Sequence, residues 1–178
     1  MNAESPLCKI VTIGAYGFTE EKFFASLHAA GVDVLCDVRM RRSVRGPAYR
    51  FANSGYLQEK LAQMGIRYVH MKDLAPTDAI RGLQHQADKQ NRVTKRQRTL
   101  LSQQFVQAYT DACLKGLDAD EFLKRLGPAC RVVALFCVEG HPEACHRMLL
   151  ADHLAMHFRV EVQHLRPSDD RVVDRTRC

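Results

Sequence analysis

The chain has 178 residues, 46% of them hydrophobic, enough to bury one substantial core without a second domain. Lys and Arg number 26 against 20 Asp and Glu, a formal net charge of +6, so a strongly charged partner is expected to be an anion. The seven cysteines are irregularly spaced, unlike a secreted disulfide framework, and no stretch has the length of a membrane span, so a reduced, cytoplasmic, non-membrane protein is expected.

Taken in order, Lys9-Ile10-Val11-Thr12-Ile13-Gly14 reads as a first strand ending in a glycine that permits a sharp turn. Thr19 is a good N-cap for the helix that follows, with Glu20 and Glu21 in its first turn, Phe18 and Phe23 at the spacing of a hydrophobic staple, and Gly31 as its stop. Residues 32–39, Val-Asp-Val-Leu-Cys-Asp-Val-Arg, form a second strand that delivers Asp37 and Arg39 to its C-terminal end. Residues 39–51 are basic and irregular, with Gly46-Pro47 as a turn signal, and are expected to overhang the sheet as a loop. Asn53 or Ser54 then caps a helix with Leu57, Leu61 and Met64 on one face and Gly65 at its close, and residues 66–70 form a third strand ending in His70.

Residues 72–94 are polar and poorly patterned and read as an irregular insertion with at most a short helix. Residues 95–115 read as an amphipathic helix, with Leu101, Phe105, Ala108, Ala112 and Cys113 near one stripe. Asp118 and Glu121 make a capping-box-like start for a short helix through Leu126, ended by Gly127-Pro128. The apolar run Val132-Val133-Ala134-Leu135-Phe136 suits a central strand covered on both faces. Residues 159–165 alternate apolar and polar side chains like an edge strand, and the charged tail after Pro167 is expected to fray.

The densest chemistry lies in residues 131–150, where the buried strand ends at Cys137-Val138-Glu139-Gly140 and Pro142 stands where a proline can open a helix. Cys145, His146 and Arg147 are then expected in or just after the first helical turn, where unpaired N–H groups and the dipole favour an anion and lower a thiol pKa. Strands alternating with helices indicate an α/β fold: a single three-layer sandwich with a largely parallel five-stranded, Rossmann-like sheet and helices on both faces. In such a sheet Tyr16, Asp37, Arg39, Cys137 and Glu139 are expected to converge at one rim, with Arg45 and His70 nearby.

These segments resemble the family catalogued as domain of unknown function 488. The resemblance is carried by Thr12-Ile13-Gly14, residues 34–39, Phe51-Ala52-Asn53, residues 65–70, Cys137-Val138-Glu139 and Cys145-His146-Arg147. It implies a compact cytoplasmic α/β domain and names no activity. The chain departs from the family pattern in the basic loop after Arg39 and at Ala75-Pro76-Thr77-Asp78. A weaker similarity looks toward the rhodanese fold, where a strand ending in Asp-Val-Arg meets one ending in a catalytic cysteine, but the loop after Cys137 is longer than a rhodanese loop.

The leading expectation is an enzyme acting on a phosphate-bearing, nucleotide or nucleic-acid substrate. Arg147 and Arg39 would donate to the anion, with Asp37, Arg45, Tyr16 and His70 around it. Cys137 or Cys145 would be the nucleophile, and His146 or Glu139 the proton-transfer partner. The first alternative is a non-catalytic nucleic-acid-binding module using the basic loop and the cluster Lys89, Arg92, Lys95, Arg96 and Arg98. The second is a metal site at Cys137, His141, Cys145 and His146, ranked last because spacings of four, four and one residues match no standard zinc module. No cofactor motif is present, and an anionic small molecule or nucleic acid is the expected partner.

Overall fold

A computed structural model describes residues 7–167; the expected frayed tail lies outside the described residues. Five parallel strands, β1 (Lys9–Gly14), β2 (Val34–Asp37), β3 (Arg67–His70), β4 (Val132–Cys137) and β5 (Glu161–His164), form one sheet in the order β3-β2-β4-β1-β5. All six residues of β4 are buried, whereas the outer strands β3 and β5 are only partly covered, as their sequences demand.

Helices α1 (Glu20–Ala29) and α2 (Ser54–Gln63) cover one face, where Phe23, Leu27, Leu57 and Leu61 pack on Val11, Ile13, Leu35, Ala134 and Phe136. The other face carries α3 (Asp78–Gln90), α4 (Gln103–Tyr109), α5 (Ala119–Leu126) and α6 (His146–Phe158), packed on Ile10, Val34, Cys36, Val133 and Leu135. This is the expected three-layer sandwich. The chain runs from β1 across to β2 and β3 by way of the first face, then returns to β4 and passes on to β5 by way of the second, the switch of face that right-handed crossovers require. The neighbours β1 and β4 therefore send their outgoing connections to opposite faces, and the crevice at their C-terminal ends is where open α/β sheets bind ligands.

Local chemistry sets most boundaries. Thr19 Oγ1 accepts from the Lys22 N–H and Asp118 Oδ1 from the Glu121 N–H, as expected of both caps. Asn53 precedes α2 but turns its side chain to the Val44 N–H instead, tying down the basic loop, which also contains a 3-10 turn over Pro47–Ala52.

Three expectations are corrected. The supposed irregular insertion contains the thirteen-residue helix α3, capped by Thr77 Oγ1 on the Ile80 N–H. Its buried positions are Ile80, Gln84 and Asp88, so polar residues occupy the core-facing stripe and no apolar period shows. Residues 95–102 are not helical: Ser102 Oγ caps α4 by accepting from the Phe105 N–H, and the chain continues from α4 into a π-turn at Thr110–Leu114. Pro142–Ala144 forms a separate 3-10 turn, and α6 begins only at His146, with Cys145 extended (φ −140°, ψ 140°) as its N-cap residue.

Phe23 is fully buried and touches the rings of Phe18, Phe24, Phe51 and Phe136, joining α1 and the basic loop to β4. Phe23→Ala is expected to destabilise the fold by about 3–5 kcal/mol, read from urea unfolding.

Candidate active site

Three strand ends form the floor of the site. The ladder runs on past the strands, with Ala15 N–H donating to Cys137 O (3.2 Å), Tyr16 N–H to Val138 O (2.9 Å) and Val38 N–H to Phe136 O (3.1 Å). Gly14 makes this possible, because a Cβ there would lie 1.8 Å from the Glu139 carbonyl oxygen. The expected convergence of residues 14–16, 37–39 and 137–139 is therefore observed.

Two arginines brace the floor from inside. Arg147 has no exposed surface, and its guanidinium donates to the carbonyls of Glu139 (2.6 Å) and Gly140 (3.0 Å), clamping the turn after β4 onto α6. Arg39 donates through Nε (2.8 Å) and an Nη (2.7 Å) to the fully buried carboxylate of Asp37 and through its other Nη to Ala52 O (2.8 Å), with its plane over the Phe136 ring. Asp37 Oδ2 also accepts from the Tyr68 hydroxyl (2.7 Å), and His70 Nε2 donates to the Arg39 carbonyl (2.9 Å). These side chains hold one another. Arg147, expected as an anion donor, borders neither site cavity; Arg39 borders one of them with its donors largely engaged.

Above this frame sit Cys137 at the end of β4 and Cys145-His146 at the start of α6. His146 Nε2 lies 3.0 Å from the carbonyl of Val38, which can only accept, so Nε2 carries the proton and Nδ1 presents its lone pair to the Cys145 sulfur at 3.7 Å. The Tyr109 ring meets the imidazole edge-on at 5.3 Å while its hydroxyl donates to Leu74 O (2.8 Å). Burial pushes the Cys145 thiol up, but the hydrogen bond from Cys137 and the charge and backbone N–H of Arg147 outweigh it and bring it down to about 7. Cys137, the donor to Cys145 and itself buried, is pushed up. Cys137, Cys145 and His146 have donor atoms within 4.8 Å of one another and could hold a metal ion; His141 is exposed on the loop and outside this group.

Two adjoining cavities open from this centre. One of about 340 Å³ is lined by Cys137, His146, Arg39, Arg41, Arg81 and Lys95, with Met40, Pro76, Asp78 and Val138. The other, about 160 Å³, shares Arg81, Lys95 and His146 and adds Cys145, Glu139, Asp88 and Arg98. Glu139 Oε1 pairs with Lys95 (3.2 Å) and Arg98 (3.4 Å), while its buried Oε2 has no hydrogen-bond partner among the described residues. Arg98 also grips Asp88 (2.7 Å), to which Gln84 donates (2.7 Å).

Other expected residues lie at the margin. Tyr16 is half-buried, edge-on to Tyr49 at 5.0 Å, and Arg96 lies over both rings; Arg45 is exposed on the basic loop and borders neither cavity. Sequence reasoning missed Arg81, Gln84, Asp88 and Tyr109. The first three lie on α3, and their signal was available as polar residues at helical spacing after a Thr77 cap.

The Arg39–Asp37 pair is a buried brace, so Arg39→Met is expected to cost about 3–5 kcal/mol by stranding the carboxylate, and Asp37→Asn added to it to recover part of the loss. Chemical unfolding of both variants measures this.

No curated protein and no solved structure matches the chain. A family model does match, over residues 19–154, a span that takes in α1, the basic loop, α3 and all of the Cys137, Cys145 and His146 centre. The chain belongs to the family described as Domain of unknown function DUF488.

Proposed function

We propose that this protein is an enzyme acting on a phosphate-bearing small molecule or nucleotide, held in the larger cavity against the Cys137, Cys145 and His146 centre. One observation carries the reading: a recess of about 340 Å³ has sulfur and imidazole at its floor and Arg41, Arg81 and Lys95 in its wall. That volume lies in the usual range of small-ligand sites. Arg41 is exposed and has no carboxylate partner among the described residues, while Arg81 pairs with Asp78 and Lys95 with Glu139 on the rim. An incoming phosphate competes for these cations with carboxylates that remain partly or wholly solvated or shared, and gains charge-assisted hydrogen bonds in return.

The roles differ from those expected of the arginines. Arg39 and Arg147 shape the recess, and the cations of the wall take the anion. The Cys145 sulfur, which borders the adjoining smaller cavity with Glu139, and the His146 imidazole, which borders both, are the reactive pair, with Cys137 at the floor of the larger recess donating to the first and Glu139 as the nearby carboxylate for proton transfer.

A second reading, binding of nucleic acid through the rim without chemistry, is favoured by Arg96. It stacks on Tyr16 and Tyr49 and so joins the 39–50 and 89–98 segments, neither of which contains an acidic residue, into one basic margin.

Inorganic pyrophosphate is expected to bind and to slow alkylation of Cys145 by iodoacetamide, followed by mass spectrometry. Arg81→Ser and Lys95→Ser should each weaken binding by roughly tenfold, the loss of one charge-assisted contact. No protection at any concentration would remove the anion-site reading. A labelled oligonucleotide is expected to bind the rim weakly, with affinity falling steeply with salt and falling further in Arg96→Ser. Tight, salt-dependent binding indifferent to Cys145→Ser, with no pyrophosphate protection, would put the second reading first.

A further inference from the structure

We infer that Cys137, Cys145 and His146 are the protein ligands of a bound divalent metal of zinc type, with a fourth coordination position open to the cavity. The inference builds on the cavity as a substrate site and stands on different side chains from those that hold the anion; in the metal-bound protein Cys145 and His146 serve as ligands, and the open coordination position takes over the reactive role given to them above. The ligands arrive from two elements, Cys137 from the end of β4 and Cys145-His146 from the start of α6, so the irregular spacing along the chain is no obstacle.

Geometry supports it in three ways. The three donor atoms lie within 4.8 Å of one another, and all three residues are buried. Tetrahedral zinc, with Zn–S about 2.3 Å and Zn–N about 2.0–2.1 Å, sets its sulfur and nitrogen ligands roughly 3.6 Å apart. Cys145 Sγ and His146 Nδ1 stand at 3.7 Å, so this edge of the tetrahedron is formed already.

The imidazole is also prepared. Its Nε2–H is committed to the Val38 carbonyl, the arrangement by which metal-binding histidines are oriented and their tautomer fixed, and Nδ1 is left as the ligand. The Nδ1 lone pair therefore faces the Cys145 sulfur, the position from which it can ligate a metal held between the two.

The third support is Glu139. Its residue is 8% exposed, it borders the smaller cavity with Cys145 and His146, and its Oε2 is without a hydrogen-bond donor among the described residues. A buried carboxylate oxygen costs free energy unless it is paired. A water or substrate hydroxyl on the metal's open position is a donor of the kind this oxygen lacks. Two thiolates and an imidazole with one open position match catalytic zinc sites that keep three protein ligands, in contrast to closed structural sites with four. The donor set, two soft sulfurs and a nitrogen, suits zinc better than magnesium or calcium. Binding releases the thiol protons to solvent, while His146 Nδ1 has none to lose.

The test is metal analysis of the full chain, purified without added metal and again after one equivalent of zinc chloride and desalting. About one zinc per chain is expected. Cys137→Ser, Cys145→Ser and His146→Gln should each lower zinc affinity by at least about tenfold, whereas Cys8→Ser, just before β1 at the opposite end of the sheet, should retain it. Because buried variants can fail to fold, cobalt(II) is loaded into the unaltered protein as well. Tetrahedral d–d bands with thiolate-to-cobalt charge transfer are expected, and an octahedral spectrum without charge transfer would overturn the inference. So would an unaltered protein that retains no zinc, or full zinc in Cys145→Ser. Arg81→Ser and Lys95→Ser separate this from the anion reading, since they should lose pyrophosphate and keep the metal.

Discussion

The position of Arg147 governs the geometry of the whole C-terminal rim. A fully buried guanidinium is costly unless its N–H groups are met, and here the backbone carbonyls of Glu139 and Gly140 accept from its two Nη groups, while Nε has no partner among the described residues. That grip folds the turn after β4 back against α6, sets Glu139 facing the smaller cavity and brings the sulfur of Cys145 to that of Cys137. Gly14 allows the Glu139 carbonyl to come this close, so the glycine of β1 and the arginine of α6 act on the same atom. Arg39 plays the matching part on the β2 side, where its bonds to Asp37 and Ala52 fasten the basic loop beside the central strand.

With two arginines used as internal braces, the charge that faces the cavity comes from elsewhere, and two long-range connections supply it. The loop after β2 contributes Arg41, and α3 with the segment after it contributes Arg81, Lys95 and Arg98. Glu139 links these to the sulfur centre through its pairs with Lys95 and Arg98, so the site is assembled from a strand end, a helix start and two loops rather than from one motif. Such dispersal is what an open α/β sheet allows at the crevice where neighbouring connections part.

Much of this was legible in the sequence because the hydrophobic pattern is strong where the sheet is central. The unbroken apolar run of β4, the Thr19 and Asp118 caps and the residue order around Cys137 and Cys145 point directly to the strands and helices found. What escaped was α3. Its core-facing stripe contains Gln84 and Asp88, which are buried because they pair with each other, with Arg98 and with the Ser102 N–H, and no single-residue property announces that. The internal bonds of the two arginines of the rim were hidden for a related reason. A guanidinium near an anion site reads as a donor to ligand, and only the three-dimensional structure shows that backbone carbonyls and Asp37 have already claimed it.

The bond from His146 to Val38 ties the start of α6 to the strand beside the sheet's edge. The imidazole is held by a carbonyl just beyond β2, and β2 is backed on its outer side by β3, a partly covered four-residue edge strand. Edges of a sheet open at lower free energy than its centre. Fraying of β3 would take away one of the two neighbours of β2, leaving its pairing with β4 and the bond from the Val38 N–H to Phe136 O to hold the carbonyl that orients His146. The imidazole is thus held one strand in from an edge of the sheet, so local opening at that edge bears on its orientation before it bears on the β4–β1 centre.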